Sequence, residues 1–399
     1  MAEATAPVLP LAGSRWIGLG LVAVPAALIL VGLYAGPWLQ IAPNRLLSGQ
    51  PVTAAEAFGS SLHLVAVGFI ALAVAVRSSD AAFARWATLL LSIGALVGLV
   101  VLTGLATAGL MAGRPPAARA FLGAGFWLSV VSQAAICAEA ARRAGSRVGA
   151  PIGVALALLG FAVGYRAGVF DALSLVVEFR ARADLVRGAL QRHLELAGAG
   201  LALALTAALP LGWLSFRSPR TEAVTVSALD ALQVVPAIAL FGVLVSLLSL
   251  GLNAAPALRN LGLAAIGPAP ALIGIAGYLA LPLVQSLVGG LKAAEDAVIG
   301  AARAMGMTEG RIAREVRIPL GMPIFIGGLR VAAVQSIGLT FLGGLIGAGG
   351  LGAIVFEGMA QFAPDLILLG AAPIVVLALL IDWGLRALER SMSRLEPGS

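Results

Sequence analysis

Two stretches of this sequence hold side chains whose types and spacing could do work. Between 292 and 320 the chain runs Lys292-Ala-Ala-Glu-Asp-Ala-Val-Ile-Gly-Ala-Ala-Arg-Ala-Met-Gly306 and continues to Val316-Arg317-Ile318-Pro319-Leu320. Ala301, Ala302, Ala304 and Met305 give a helix with a small, apolar face. Gly306 can end that helix in the left-handed conformation. Residues 307–318 then read as a second helix, studded with arginine, which Pro319 is expected to stop. Two short helices joined by a glycine elbow offer docking rather than bond-making: small side chains permit close approach, and arginines orient the partner. The second set is Asp230 and Gln233, one helical turn apart before Pro236, together with Arg330 inside an apolar run. Polar and charged groups within membrane spans mark functional positions by default. Asp230, Gln233, Pro236 and Arg330 are therefore candidates for a translocation path, with snorkelling or inter-helix hydrogen bonding as the competing reading.

Several chemistries are not expected. Cys137 is the single cysteine, and His63 and His193 are the two histidines, far apart in sequence. No metal or haem set follows from so few ligands. Gly347-Ala-Gly349-Gly-Leu-Gly352 matches the dinucleotide fingerprint by letter, but that fingerprint needs a preceding strand and a βαβ unit. Here it closes an apolar run. A phosphate-binding loop needs Gly-Lys-Ser/Thr, and the one lysine, Lys292, lies between Leu291 and Ala293. The chain is expected to hold no cofactor and to catalyse no reaction; any ATP must be bound by another polypeptide. Quaternary ammonium cages are aromatic, and no outer loop gathers aromatics. Trp16, Trp38, Trp86, Trp213 and Trp383 fall where interfacial belts are expected. Glu139 and Asp382, nearer span ends, are expected to snorkel.

The elements that must position these residues are membrane spans. Of 399 residues 60% are hydrophobic and 11% charged, against about 25% charged in a soluble domain. About ten apolar runs are expected to cross the bilayer: 16–35, 58–76, 87–111, 121–141, 149–165, 193–216, 225–250, 266–290, 323–346 and 366–387. The first is longer than a signal h-region and is read as retained. With the start of the chain inside and the spans alternating, 16 basic residues fall inside, among them Arg147 and Arg394, and nine outside. That asymmetry orients both ends toward the cytoplasm. The exception, 166–192, is basic and acidic with apolar residues at near-helical spacing, and reads as an outer interfacial helix. The resulting domains are a five-span extension at 1–165, the interfacial segment 166–192, a five-span core at 193–388 with its cytoplasmic loop 292–320, and a cytoplasmic tail at 389–399.

The 292–320 stretch resembles the coupling loop of binding-protein-dependent ABC import permeases. That pattern is Glu-Ala-Ala, three residues, Gly, nine residues, Ile, one residue, Leu-Pro. It falls with its spacing intact on Gly300, Ala301, Ala302, Gly306, Val316, Ile318 and Pro319; Gly300 departs from the usual Glu. His193-Leu-Glu-Leu, Pro210-Leu-Gly212, Leu232 to Leu240, Leu281-Pro-Leu-Val284, Gly327-Gly-Leu-Arg330 and Ile346 to Gly352 resemble the permeases for quaternary amines. The likeness covers about 180–385, and the additional spans are most similar to the long Yeh-type branch. It implies an all-α type I importer core resembling methionine permeases, in the bacterial inner membrane. It also implies partners: ATPase subunits at the loop, a second, shorter and non-identical permease, and an extracytoplasmic binding protein. Glycine betaine or a related osmolyte is the implied solute, and methionine the alternative. An ion-coupled transporter would want paired intramembrane carboxylates, and Asp230 has no counterpart. A sensor or scaffold is suggested only by the extension.

Overall fold

The computed structural model describes residues 13–45, 47–145 and 149–393. Arg147, Arg394 and the tail beyond 393 lie outside them. The chain divides into two compact units, Met1–Ala181 and Arg182–Ser399. The division falls inside the interval 166–192, whose second half belongs to a long helix of the second unit.

The first unit holds α1 (Gly13–Tyr34), α2 (Ala54–Phe58), α3 (Leu62–Ser78), α4 (Ala82–Met111), α5 (Ala124–Ala144), α6 (Gly149–Arg166) and α7 (Ser174–Ala181). Helices α1 and α5 meet through glycine: a Cβ at Gly32 would lie 2.5 Å from the Gly125 carbonyl oxygen. Small residues are what let backbones approach this closely in a membrane bundle. A three-stranded antiparallel sheet was not expected: β1 (Pro37–Ala42) lies between β2 (Gln50–Thr53) and β3 (Arg119–Leu122). It draws Trp38 inward. That side chain, expected at an interface, is fully buried against Phe58 and Phe126, and its Nε1–H donates to Thr103 Oγ1 at 3.1 Å. Glu139 does not snorkel either; it is buried and accepts from Arg142 and Arg143.

The second unit holds α8 (Ala183–Arg217), α9 (Pro219–Val234), α10 (Ala237–Ala254), α11 (Pro268–Lys292), α12 (Asp296–Ala304), α13 (Glu309–Ile312), α14 (Ile318–Gly343), α15 (Leu351–Ala360) and α16 (Pro364–Ser393). Its core gathers Ala204, Phe241, Ile275, Leu279, Leu283 and Ala332 from α8, α10, α11 and α14. The expected span 225–250 is not one helix. Proline removes an N–H and pushes its predecessor out of the helical region; Val235 sits at φ −69°, ψ 126° and the chain restarts at Ala237. Residues 389–393, expected in the tail, continue α16.

Eight of the described helical stretches are long and apolar enough to cross a membrane. The other two expected spans correspond to α1 and α6, whose described apolar parts, Gly20–Tyr34 and Pro151–Arg166, are shorter.

Candidate functional site

The loop between α11 and α14 is anchored before it begins. At Gly290 and Gly321 the two helices touch backbone to backbone; a Cβ on Gly290 would lie 2.7 Å from the Gly321 carbonyl oxygen. Arg317 then donates from Nη1 to the Leu291 carbonyl at 2.9 Å and stacks its guanidinium 5.2 Å from the Phe216 ring centre. Lys292 pairs with Glu222 of α9 at 2.5 Å. These contacts fix where the loop leaves the spans.

Within the loop, α12 runs to Ala304, and Gly306 turns the chain at φ +79°. Thr308 caps α13, its hydroxyl accepting from the Arg311 N–H. Ala294, Ile299, Ala302 and Ile312 form a small core with Met307, Val316 and Leu320 packed on it. Residue placement is therefore split. Ala302 faces inward at 2% exposure, and Val316 rests on the same core. Gly300, Ala301, Gly306, Ile318 and Pro319 are exposed. The outward side of α12 carries Val298 and Ala301, and Met305, which caps the helix, extends the same side at 75% exposure. Ala302 thus belongs to the support of the elbow rather than to its outer face. Arg303 Nε meets Glu309 Oε1 at 2.7 Å across the turn; the pairing raises the Arg303 guanidinium further and holds the Glu309 carboxyl below its ordinary value.

Pro319 does not stop the second helix. Residues 313–317 form a π turn, in which the Ile318 N–H reaches the Ala313 carbonyl, and the chain runs straight into α14. A proline in the first turn of a helix costs little because its missing N–H is not needed there. The wider π turn takes up the register.

The candidate path residues separate. Asp230 is exposed on α9, whose described residues include none that is buried. Gln233 donates from Nε2 to the Tyr278 carbonyl at 3.1 Å, and the Tyr278 hydroxyl donates to the Val235 carbonyl. The Pro236 break is thus clamped to α11. Arg330 lies elsewhere: Nη1 meets Asp382 Oδ1 at 3.0 Å and Nε lies 3.3 Å from Glu389 Oε2. Asp382, expected to snorkel, also accepts from Arg386. Arg330 therefore ties α14 to α16. Tyr278 and Arg317 escaped the sequence reading; an arginine immediately before Ile318-Pro319 was the one local signal for the latter.

The glycine run after α14 is a turn, with Gly347, Gly349 and Gly350 at φ +75°, +85° and +79° before α15. It packs on α8: Arg192 Nε donates to the Ala348 carbonyl, and Gly350 lies against buried His193, whose Nε2 is 3.1 Å from the Ile337 carbonyl. No described strand precedes it in this unit.

Residues 200–394 match the family described as the inner membrane component of binding-protein-dependent transport systems, and 18–176 match the N-terminal domain of the ABC transporter permease YehY. Three curated relatives align over about half of the chain. The osmoprotectant import permease OsmW of Salmonella typhimurium is 33% identical over 50% of this chain and 87% of its own length. The carnitine transport permease OpuCB of Listeria monocytogenes is 31% identical, covering 50% and 84%. The glycine betaine/carnitine/choline permease OpuCD of Bacillus subtilis is 31% identical, covering 51% and 82%. An inward-facing methionine transporter MetNI structure aligns at a TM-score of 0.46 and 19% identity, over 53% of this chain and 98% of that one. The family match and the apolar helices are those of a multi-pass inner-membrane subunit of a binding-protein-dependent importer. The chain belongs to the osmoprotectant-type ABC import permeases, in a YehY-like form with that permease's N-terminal domain.

Proposed function

We propose that this permease conducts a quaternary amine such as glycine betaine, with an ATPase chain docked on the outward face of α12. The observation that carries the docking is the split of the loop. Ile299 and Ala302 hold the elbow together and Val298, Ala301 and Met305 are left bare, in a loop whose two ends Arg317 ties through the Leu291 carbonyl. An exposed apolar strip on a rigid, cytoplasm-facing element suits a groove on a soluble partner. ATP is bound by that partner, and this chain holds no cofactor.

The path runs along α9 and α10. Among described residues α9 buries none, and α10 buries only Phe241 and Leu252. A helix bearing Asp230 does not face lipid without cost. A second, shorter permease subunit covers it, and Asp230, Gln233 and the Pro236 break line the water-filled seam. An extracytoplasmic binding protein supplies the solute. Support for the solute class comes from what the relatives transport and from the scarcity of charge along this face: a net-neutral zwitterion needs no counter-charge. Both ends of the chain lie on the cytoplasmic side.

Purification of the chain with its ATPase from native membranes, followed by radiolabelled uptake in cells lacking other betaine systems, tests both parts. ATPase retention lost in Ala301→Asp, with the protein still inserted, is the expected docking result; retention unchanged removes the docking surface. Uptake of methionine in place of glycine betaine, choline and carnitine removes the solute class and leaves the importer.

A further inference from the structure

We infer that the first unit holds a binding site for an anionic glycerophospholipid in the slot between α1 and α3. The slot has a volume of about 460 Å³, within the range of about 300–1,000 Å³ typical of ligand sites. Its walls are apolar: Val22, Ala26 and Leu30 from α1 face Ile70 and Val74 from α3, and its end is formed by Arg77 and Ser78. An acyl chain matches the walls. The end of the slot demands something else.

Arg77 carries a charge that the protein does not answer. Its Nε is shut off from solvent and has no hydrogen-bond partner, and its guanidinium makes no ion pair with a described residue. The buried carboxylate at the end of α5 is already used. Glu139 accepts from Arg142 Nε at 2.7 Å and Nη2 at 2.6 Å, and from Arg143 Nε at 2.8 Å. Arg143 in turn donates from Nη1 to the Arg77 carbonyl at 3.0 Å, which brings the ends of α3 and α5 together. Two arginines therefore take up this one carboxylate, and the charge of Arg77 is left over at the end of the apolar slot. A half-buried guanidinium whose Nε has no partner carries part of the cost of an unpaired buried charge, and a phosphate diester satisfies it by charge-assisted hydrogen bonds. Basic pockets between membrane helices recognise anionic headgroups in this way. The other slot beside α3, of about 470 Å³, is lined by Phe69, Leu72, Leu91, Leu99 and other apolar residues with no charge at its end. It lacks the second half of the recognition, so the headgroup preference is assigned to the α1–α3 slot.

The full-length chain, reconstituted in discs of phosphatidylethanolamine and phosphatidylglycerol in equal parts and re-extracted, is assayed for retained lipid by native mass spectrometry. The unmodified chain is expected to keep one phosphatidylglycerol in preference to phosphatidylethanolamine. Arg77→Gln should cut that preference about fivefold, and Arg77→Lys should keep most of it. Ala27→Phe, which adds a ring at an exposed position on the slot wall, should reduce retained lipid of either headgroup. Equal retention of the two lipids by the unmodified chain, or an unchanged preference in Arg77→Gln, overturns the assignment.

Discussion

Arg303 and Glu309 face each other across the Gly306 elbow, Nε to Oε1 at 2.7 Å, with both side chains more than half exposed. A pair this wet cannot hold the turn by itself. The turn is held by the backbone at Gly306 and by the four-residue core beneath it.

The glycine is therefore the sensitive position. No atom lies within 4 Å of a Cβ placed on Gly306, so a side chain there meets strain rather than collision. A β-branched residue at φ +79° costs on the order of 1–3 kcal/mol. Gly306→Val should lower uptake at least about tenfold with normal insertion and uncoupled or absent ATPase association. Gly306→Asn, which tolerates the left-handed region, should keep most of the activity. Equal uptake by both variants and the parent, measured per inserted molecule, would count against the elbow as the coupling element.

The pH response of the elbow follows from Glu309. Its folded value lies below the unfolded value of about 4.3 because Arg303 hydrogen-bonds the ionised form. Such a group stabilises only while ionised: its contribution is complete above about pH 4.3 and fades as pH falls through the folded value. Amide exchange across 296–312 should thus be flat from pH 8 to 5, in protection-factor terms, and lose protection below about 4. Glu309→Gln should abolish the acidic limb and change neutral-pH uptake less than about twofold. A loss of protection on raising the pH would reverse the sign and remove the pair as its cause.

The loop was legible because its signals are local: small residues at 301 and 302, a glycine at 306 and arginines beyond it. Its inner and outer faces were not, since only packing decides that Ala302 is covered by Ile312 while Ala301 is bare. Pro319 misled because a proline reads alike whether it ends one helix or begins the next; the π turn at 313–317 chose the second. Arg330 announced that it needed a partner, but Asp382 lies 52 residues away and no spacing rule connects them. Trp38 was misplaced for a related reason. Its strand, β1, is short, follows a span directly and pairs with β3 from beyond α2, α3 and α4, a contact that periodicity does not carry.

The Arg330 network should behave as a unit. Arg330 and Asp382 are 26% and 22% exposed, so breaking their pair costs less than the roughly 3–5 kcal/mol of a fully buried one; about 1–2 kcal/mol is expected. Asp382→Ala strips acceptors from both Arg330 and Arg386 and should lower the level of folded permease. Adding Arg330→Met leaves Arg386 and Glu389, one charge of each sign, and should restore much of it. A double variant less stable than Asp382→Ala, by thermal melting in detergent, would mean that Arg330 acts through something other than this network.

The clamp on the α9–α10 break leads to the last expectation. Gln233 donates to the Tyr278 carbonyl while the Tyr278 hydroxyl donates to the Val235 carbonyl, so two hydrogen bonds run in opposite directions between the break and α11. Tyr278→Phe removes the donor to Val235 and leaves that carbonyl to water. Val235 is 37% exposed, which puts the cost near the low end of about 1–3 kcal/mol. The protein should fold, but the break should move against α11 more freely. Uptake at saturating solute should fall severalfold, while the half-saturating concentration, set by a separate binding protein, should hold. Gln233→Leu should act in the same direction. Because both hydrogen bonds serve one clamp, the double variant should be little worse than the worse single one, a coupling that a double-mutant cycle reads directly. Fully additive losses would mean that Gln233 and Tyr278 work independently, with Gln233 then contributing to the path through its own contact with solute.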